Sequence, residues 1–163
     1  MDATCTFCRI AARDIPANVI WEDKDHIAFL SHRPNTPGFS VVATKAHVGS
    51  YAFGCHPEVL HGLVAASATV GRLLDRALPS VGRTGLILEG FGVDHLHSKL
   101  VPMHGTRADV WEARHSERDE FFDEYQGFIS SHDAAPADPA SLAELAAHIR
   151  ATEANAGPSP PRT

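Results

Sequence analysis

Asp94-His95-Leu96-His97-Ser98-Lys99-Leu100-Val101-Pro102-Met103-His104-Gly105 is the stretch that decides how this chain is read. Side chains alternate between the two faces of a strand. An extended run over 94–101, ended by Pro102, therefore puts His95, His97, Lys99 and Val101 on one face. Leu96, Ser98 and Leu100 take the other, which reads as the core side. Two imidazoles and an ammonium in a row form a proton-active surface that attracts anions. The competing reading is a polar strand face open to solvent. The glycine turn before the strand (Glu89-Gly90-Phe91-Gly92) and the Pro102-Met103-His104-Gly105 after it favour a functional site.

The flanking sequence supplies the rest of a sheet. Cys5 to Arg13 has the apolar spacing of a short helix, and Asp14 to Asn18 is a turn. Val19–Trp21 and His26–Leu30 read as two strands of an antiparallel hairpin. Arg33 to Gly38 is a loop, and Phe39–Thr44 is a third strand. Pro57–Leu78 is the longest helix, with Leu60, Leu63, Val64, Ser67, Val70, Gly71, Leu74 and Leu78 on one stripe and Pro79 just beyond. Thr84–Leu88 is a fourth strand, and 94–101 the fifth. Asp119–Tyr125 is expected to be helical, as is Ser141–Ala151, where Ser141 and Glu144 fit a capping box. The expected class is α+β: a mostly antiparallel five-stranded sheet, one long crossover helix, helices on one side, and a C-terminal helical extension. The expected domains are 1–105, an extension 106–155 packed on it, and a disordered tail 156–163. The aromatic run Phe121 to Phe128 calls for burial, over a substrate cleft or in a dimer contact.

Composition narrows the function classes. The chain has 163 residues, 44% hydrophobic and 21% charged, the profile of one ordinary globular core. Its net charge of −6 repels a phosphate backbone, so nucleic acid is not an expected partner. No apolar run approaches the roughly 18 residues a membrane span needs. The first residues carry neither a basic region nor an apolar core, so a cytoplasmic protein is expected. Three cysteines, Cys5, Cys8 and Cys55, do not make a disulfide framework. Cys5-x-x-Cys8 has zinc-ligand spacing but is half a site on its own. Two reduced thiols are the alternative; a redox pair fits less well, because the βαβ context is missing. Cys55 is given no role.

His95-Leu96-His97-Ser98-Lys99-Leu100-Val101 resembles the His-φ-His-φ-His-φ-φ strand of the histidine triad superfamily, φ being apolar. Other landmarks follow in that family's order. They are Cys5-Thr6-Phe7-Cys8-Arg9-Ile10, Asp14-Ile15-Pro16-Ala17, Asp25 to Leu30, Thr36 to Val42, and Thr44-Lys45-Ala46-His47. The resemblance covers roughly Cys5 to Gly105. It departs at Lys99, where a third histidine is usual, at Ser98, at Ser31 in place of a ribose-binding acid, and at Gly92-Val93-Asp94, a shortened phosphate loop.

The resemblance implies an enzyme, a nucleotide phosphohydrolase or nucleotidyl transferase acting on a dinucleoside polyphosphate or nucleoside phosphoramidate. His97 would be the nucleophile that forms a covalent nucleotidyl adduct, with Lys99 and His95 beside it, and would face a cleft sized for a nucleotide. Imidazole suits this role, because one nitrogen attacks while a carbonyl holds the other. Lys99 offers a point charge to phosphate oxygens but is a poor general acid, so His104 is a candidate substitute. A purine nucleotide would be held by Phe29, Ser31, His32, Ile10, Leu88 and His104, with Ile15, Val19 and Leu30 as further base-pocket candidates. The resemblance also implies a structural zinc on Cys5, Cys8, His47 and His95, and a homodimer. Two other functions compete. One is a nucleotide-binding regulator with little turnover. The other is a metallohydrolase using His47, His95, His97 and His104.

Overall fold

Val42 and Leu100 explain the sheet's position: each is buried between a long helix and the strand beside it. The computed structural model describes residues 4–131 and 134–155, so the expected tail 156–163 lies outside the described residues. The order is α1 (Thr6–Ala11), β1 (Val19–Glu22), β2 (His26–Leu30), β3 (Ser40–Thr44), a 3-10 turn (Ala52–Gly54), α2 (Pro57–Ala77), β4 (Val81–Ile87), β5 (His97–His104) and α3 (Pro139–Asn155). The chain divides into two compact units, one reaching to Val110 and the other beginning at Trp111.

In the first unit the strands pair antiparallel in the order β1-β2-β3-β5-β4. Alternation gives the sheet two apolar faces. Ala28, Val42, Leu96 and Leu100 pack with Leu63, Ala66, Val70 and Leu74 of α2. Ile27, Phe29, Val41 and Ala43 pack with Cys5, Phe7, Cys8 and Ile10 at α1. The helices therefore lie on both faces, and the expectation of one covered side is corrected: Phe7, Cys8 and Ile10 need an apolar surface of their own. α2 starts at Pro57, which needs no amide partner in the first turn, and stops short of Pro79.

Pro102 ends no strand, contrary to expectation. β5 runs on to His104, because β3 pairs with it only as far as Leu100. Beyond that point β5 has β4 alone beside it, so the missing proline N–H costs no ladder bond on the open side.

In the second unit α3 starts at Pro139, two residues before the expected start. Asp138 is the cap: its carboxylate accepts from the Ser141 N–H and hydroxyl, each at 2.9 Å. The expected helix over 119–125 is absent. Asp119 faces Asp123 and Glu120 faces Glu124 at a spacing of four, where like charges oppose a helix. Among the aromatics there, Phe121 is 82% exposed.

Candidate functional site

His97 leads β5 and points to the α1 face, since it is paired with Ala43. Its Nδ1–H donates to the His95 carbonyl at 2.6 Å, which leaves Nε2 with the free electron pair. Phe7 meets the ring edge to face at 5.1 Å. Burial holds the imidazole below the usual histidine range, and Lys99 pushes the same way. The ring is thus neutral at neutral pH, tethered on one side and nucleophilic on the other. Its exposure is only 4%. Phe7 of α1 covers part of the ring. Cavities of about 690, 470 and 250 Å³ are lined by other residues. Lys99, two residues along the same face, has a side chain that is 27% exposed.

Lys99 carries an ion pair that sequence reasoning missed. Its ammonium is held by the carboxylate of Glu89, whose own side chain is only 8% exposed. Register explains the meeting. Ile87 pairs with Lys99 and Leu86 with Leu100. By alternation, Ile87 and then Glu89 point to the His97 face, while Leu88 points to α2 and packs there. The turn that brings Glu89 round depends on Gly90. Its φ is +75°, and a Cβ there would lie 2.9 Å from the Ser50 carbonyl oxygen. An acid just before the glycine turn is the available signal, and turn chemistry alone hides it.

Ser98 is also explained. It lies on the α2 face, and its hydroxyl sits 2.7 Å from that of Ser67, both buried. The Ser67 hydroxyl donates to the Leu63 carbonyl at 2.7 Å, so Ser98 is the donor between the two. Ser67→Ala should cost about 1–3 kcal/mol by stranding the Ser98 hydroxyl. The double variant Ser67→Ala/Ser98→Ala should cost less than the sum of the single changes, as measured by urea denaturation.

His95 belongs to a different cluster. The ligand atoms of Cys5, Cys8, His47 and His95 all lie within 4.8 Å of one another. Sulfur to Nδ1 is 3.3 Å for Cys5–His95, 3.5 Å for Cys8–His47 and 3.7 Å for Cys8–His95. A tetrahedral metal with ordinary Zn–S and Zn–N bonds separates such atoms by about 3.6 Å. The donor set therefore fits a closed four-ligand site. On the far side of its ring, His95 donates Nε2–H to the Thr44 carbonyl at 2.7 Å, the outer contact that fixes a ligand's tautomer. None of the cysteines is in a disulfide. With both nitrogens occupied and no exposure, His95 does not reach a substrate.

The remaining predicted residues disperse. Ile10 and Phe29 are buried beside Phe7 in the α1-side core. Ser31 and His32 follow β2, the first half-buried and the second exposed. His104 stands seven residues along β5 from His97, about 23 Å away. Its Nε2–H donates to the Pro37 carbonyl and its Nδ1 accepts from the Ser80 hydroxyl. It is not brought to the nucleophile and cannot serve it as an acid. Among the described residues no helix is long and apolar enough to cross a membrane.

No family model matches the chain. Individual relatives do. An uncharacterised HIT-like protein of Methanocaldococcus jannaschii is 27% identical over 129 residues, covering 76% of this chain and 99% of its own. The adenosine 5'-monophosphoramidase of Saccharomyces cerevisiae is 25% identical over 122 residues, covering 73% and 77%. Among solved structures, a HIT family hydrolase from Legionella pneumophila superposes with a TM-score of 0.53 at 27% identity, covering 66% of this chain and 97% of that one. A zinc-bound histidine triad protein from Mycobacterium smegmatis superposes at 0.58 with 22% identity, over 94% and 98%, a likeness of fold. The His97 strand with His95 in the bend just before it, the five-stranded sheet around it and these relatives agree: the chain belongs to the histidine triad superfamily.

Proposed function

We propose that this protein hydrolyses or transfers nucleotidyl groups through a covalent intermediate on His97. The observation that carries the reading is the neutral His97 ring with Nδ1–H bound to the His95 carbonyl and Nε2 left for attack. The yeast relative's activity on an adenosine monophosphoramidate supports the nucleotide class.

In the first step Nε2 attacks the α-phosphorus of a purine nucleotide. The Nε2–P bond forms, the bond to the leaving group breaks, and the leaving group departs with a proton from water. In the second step water attacks phosphorus and breaks the Nε2–P bond. The nucleoside monophosphate leaves and the neutral imidazole returns. Positioning and charge stabilisation supply most of such a barrier reduction. Nδ1–H, held throughout, keeps the ring oriented and spreads the positive charge formed on attack.

Zinc is the metal we assign to Cys5, Cys8, His47 and His95, where it would staple α1 to the end of β3 and the start of β5. A closed set of four ligands leaves no position for substrate. His97 and His104 are outside the set, which argues against a metallohydrolase. A nucleotide-binding regulator with little turnover is the second reading, favoured by the low exposure of His97 and the engagement of Lys99 by Glu89. A homodimer is inferred by family alone.

Incubation with adenosine 5'-phosphoramidate, followed by 31P NMR, separates the two. Release of AMP with multiple turnovers is expected. Binding without turnover would leave the regulator reading.

A further inference from the structure

Lys99 is the cation on His97's face of β5, two residues along the strand. A phosphate carried to His97 needs such a cation, yet Glu89 already holds it. Glu89 is largely removed from water, so it is not a surface carboxylate that happens to pass nearby. It is fixed in place by backbone register and by the Gly90 turn against Ser50. A partly buried pair of this kind resists loss of either member, because the one left behind is an uncompensated charge. A carboxylate and a phosphate offer the same chemistry to an ammonium: anionic oxygens that accept its hydrogens. One anion can therefore take the other's place without stranding Lys99.

We propose that Glu89 occupies, in the resting protein, the place that a substrate phosphate takes against Lys99. Nucleotide binding is then an exchange of anions, and Glu89 is a specificity-determining residue that sets the affinity for the phosphate. The inference rests on the reading of His97 as a nucleotidyl acceptor. Only the fraction of molecules with the pair open accepts phosphate, and apparent affinity falls by that fraction. A phosphate with enough charge or enough contacts elsewhere to displace a carboxylate is selected over a weak anion.

The test is isothermal titration of the whole chain with AMP and, separately, with inorganic pyrophosphate. Glu89→Gln keeps the side chain's shape and removes its charge. It should bind both probes about tenfold or more tightly than the wild type. Lys99→Met should bind both more weakly, and adding Glu89→Gln to it should bring no gain. A carboxylate with a merely structural role would not raise affinity when removed. Unchanged or weaker binding of both probes by a folded Glu89→Gln protein overturns the proposal. Tighter pyrophosphate binding with no AMP binding in any variant upholds the exchange and defeats the nucleotide reading. If Glu89→Gln lacks a cooperative thermal transition, Glu89→Asp replaces it. The shorter acid reaches Lys99 less well, so a smaller gain is expected, and no gain overturns the proposal.

Discussion

Alanine at position 97 should abolish turnover of a nucleoside phosphoramidate, by at least about 10³-fold in kcat, while leaving nucleotide binding within a few-fold. The physical basis is local. In the proposed reaction Nε2 is the atom that bonds phosphorus, and neither His95 nor His104 is placed to take over. His95 has both nitrogens engaged, and His104 stands at the far end of the strand. The Lys99–Glu89 pair is untouched by the change, so the contact offered to phosphate persists. The substitution also removes the Phe7 edge contact and leaves the His95 carbonyl unpaired, a cost of about 1–3 kcal/mol. Thermal melting separates that cost from the chemical loss. Added free imidazole should restore part of the turnover in the alanine variant, an effect that a folding defect could not give. Retention of full activity would remove His97 from the chemistry.

Replacing Cys8 with serine should strip the metal and destabilise the first unit by several kcal/mol, comparable to a small domain's whole margin. Cys8 is 1% exposed and its sulfur faces both His47 and His95. Serine is a far weaker ligand for zinc than a thiolate. The purified wild type should hold about one zinc ion per chain by elemental analysis, and the variant close to none. Chelation should lower the wild-type melting temperature and leave that of the variant unchanged. Wild-type protein without zinc, and indifferent to chelators, would mean that the four residues are joined by thiol–imidazole hydrogen bonds alone.

Much of this arrangement is written in the period-two pattern of residues 94–101. Alternation alone places Leu96, Ser98 and Leu100 against the core and His97 and Lys99 on the other face, and the register with β3 agrees. α2 is equally legible, because its stripe is long and proline brackets both ends. What escapes a linear reading is set by partners distant in sequence. Leu88 reads as a ligand contact, yet the register of β4 turns it to α2 and turns Glu89 inward. His104 is close to His97 in sequence, but an extended chain carries it away. Ser98 reads as a fault in an apolar position until Ser67 of α2 supplies its partner. The helix expected at 119–125 fails because its charges repel at the helical repeat, an effect that the apolar spacing does not register.

The covalent intermediate is the claim on which the functional account stands, and intact-protein mass spectrometry measures it directly. The protein is mixed with adenosine 5'-phosphoramidate and quenched at neutral to basic pH, since a phosphorus–nitrogen bond to histidine breaks in acid. An added adenylyl group that maps to the peptide containing His97, and is absent from His97→Ala, is the predicted result. Turnover with no adduct on His97 under single-turnover conditions, or an adduct on another residue, would contradict it.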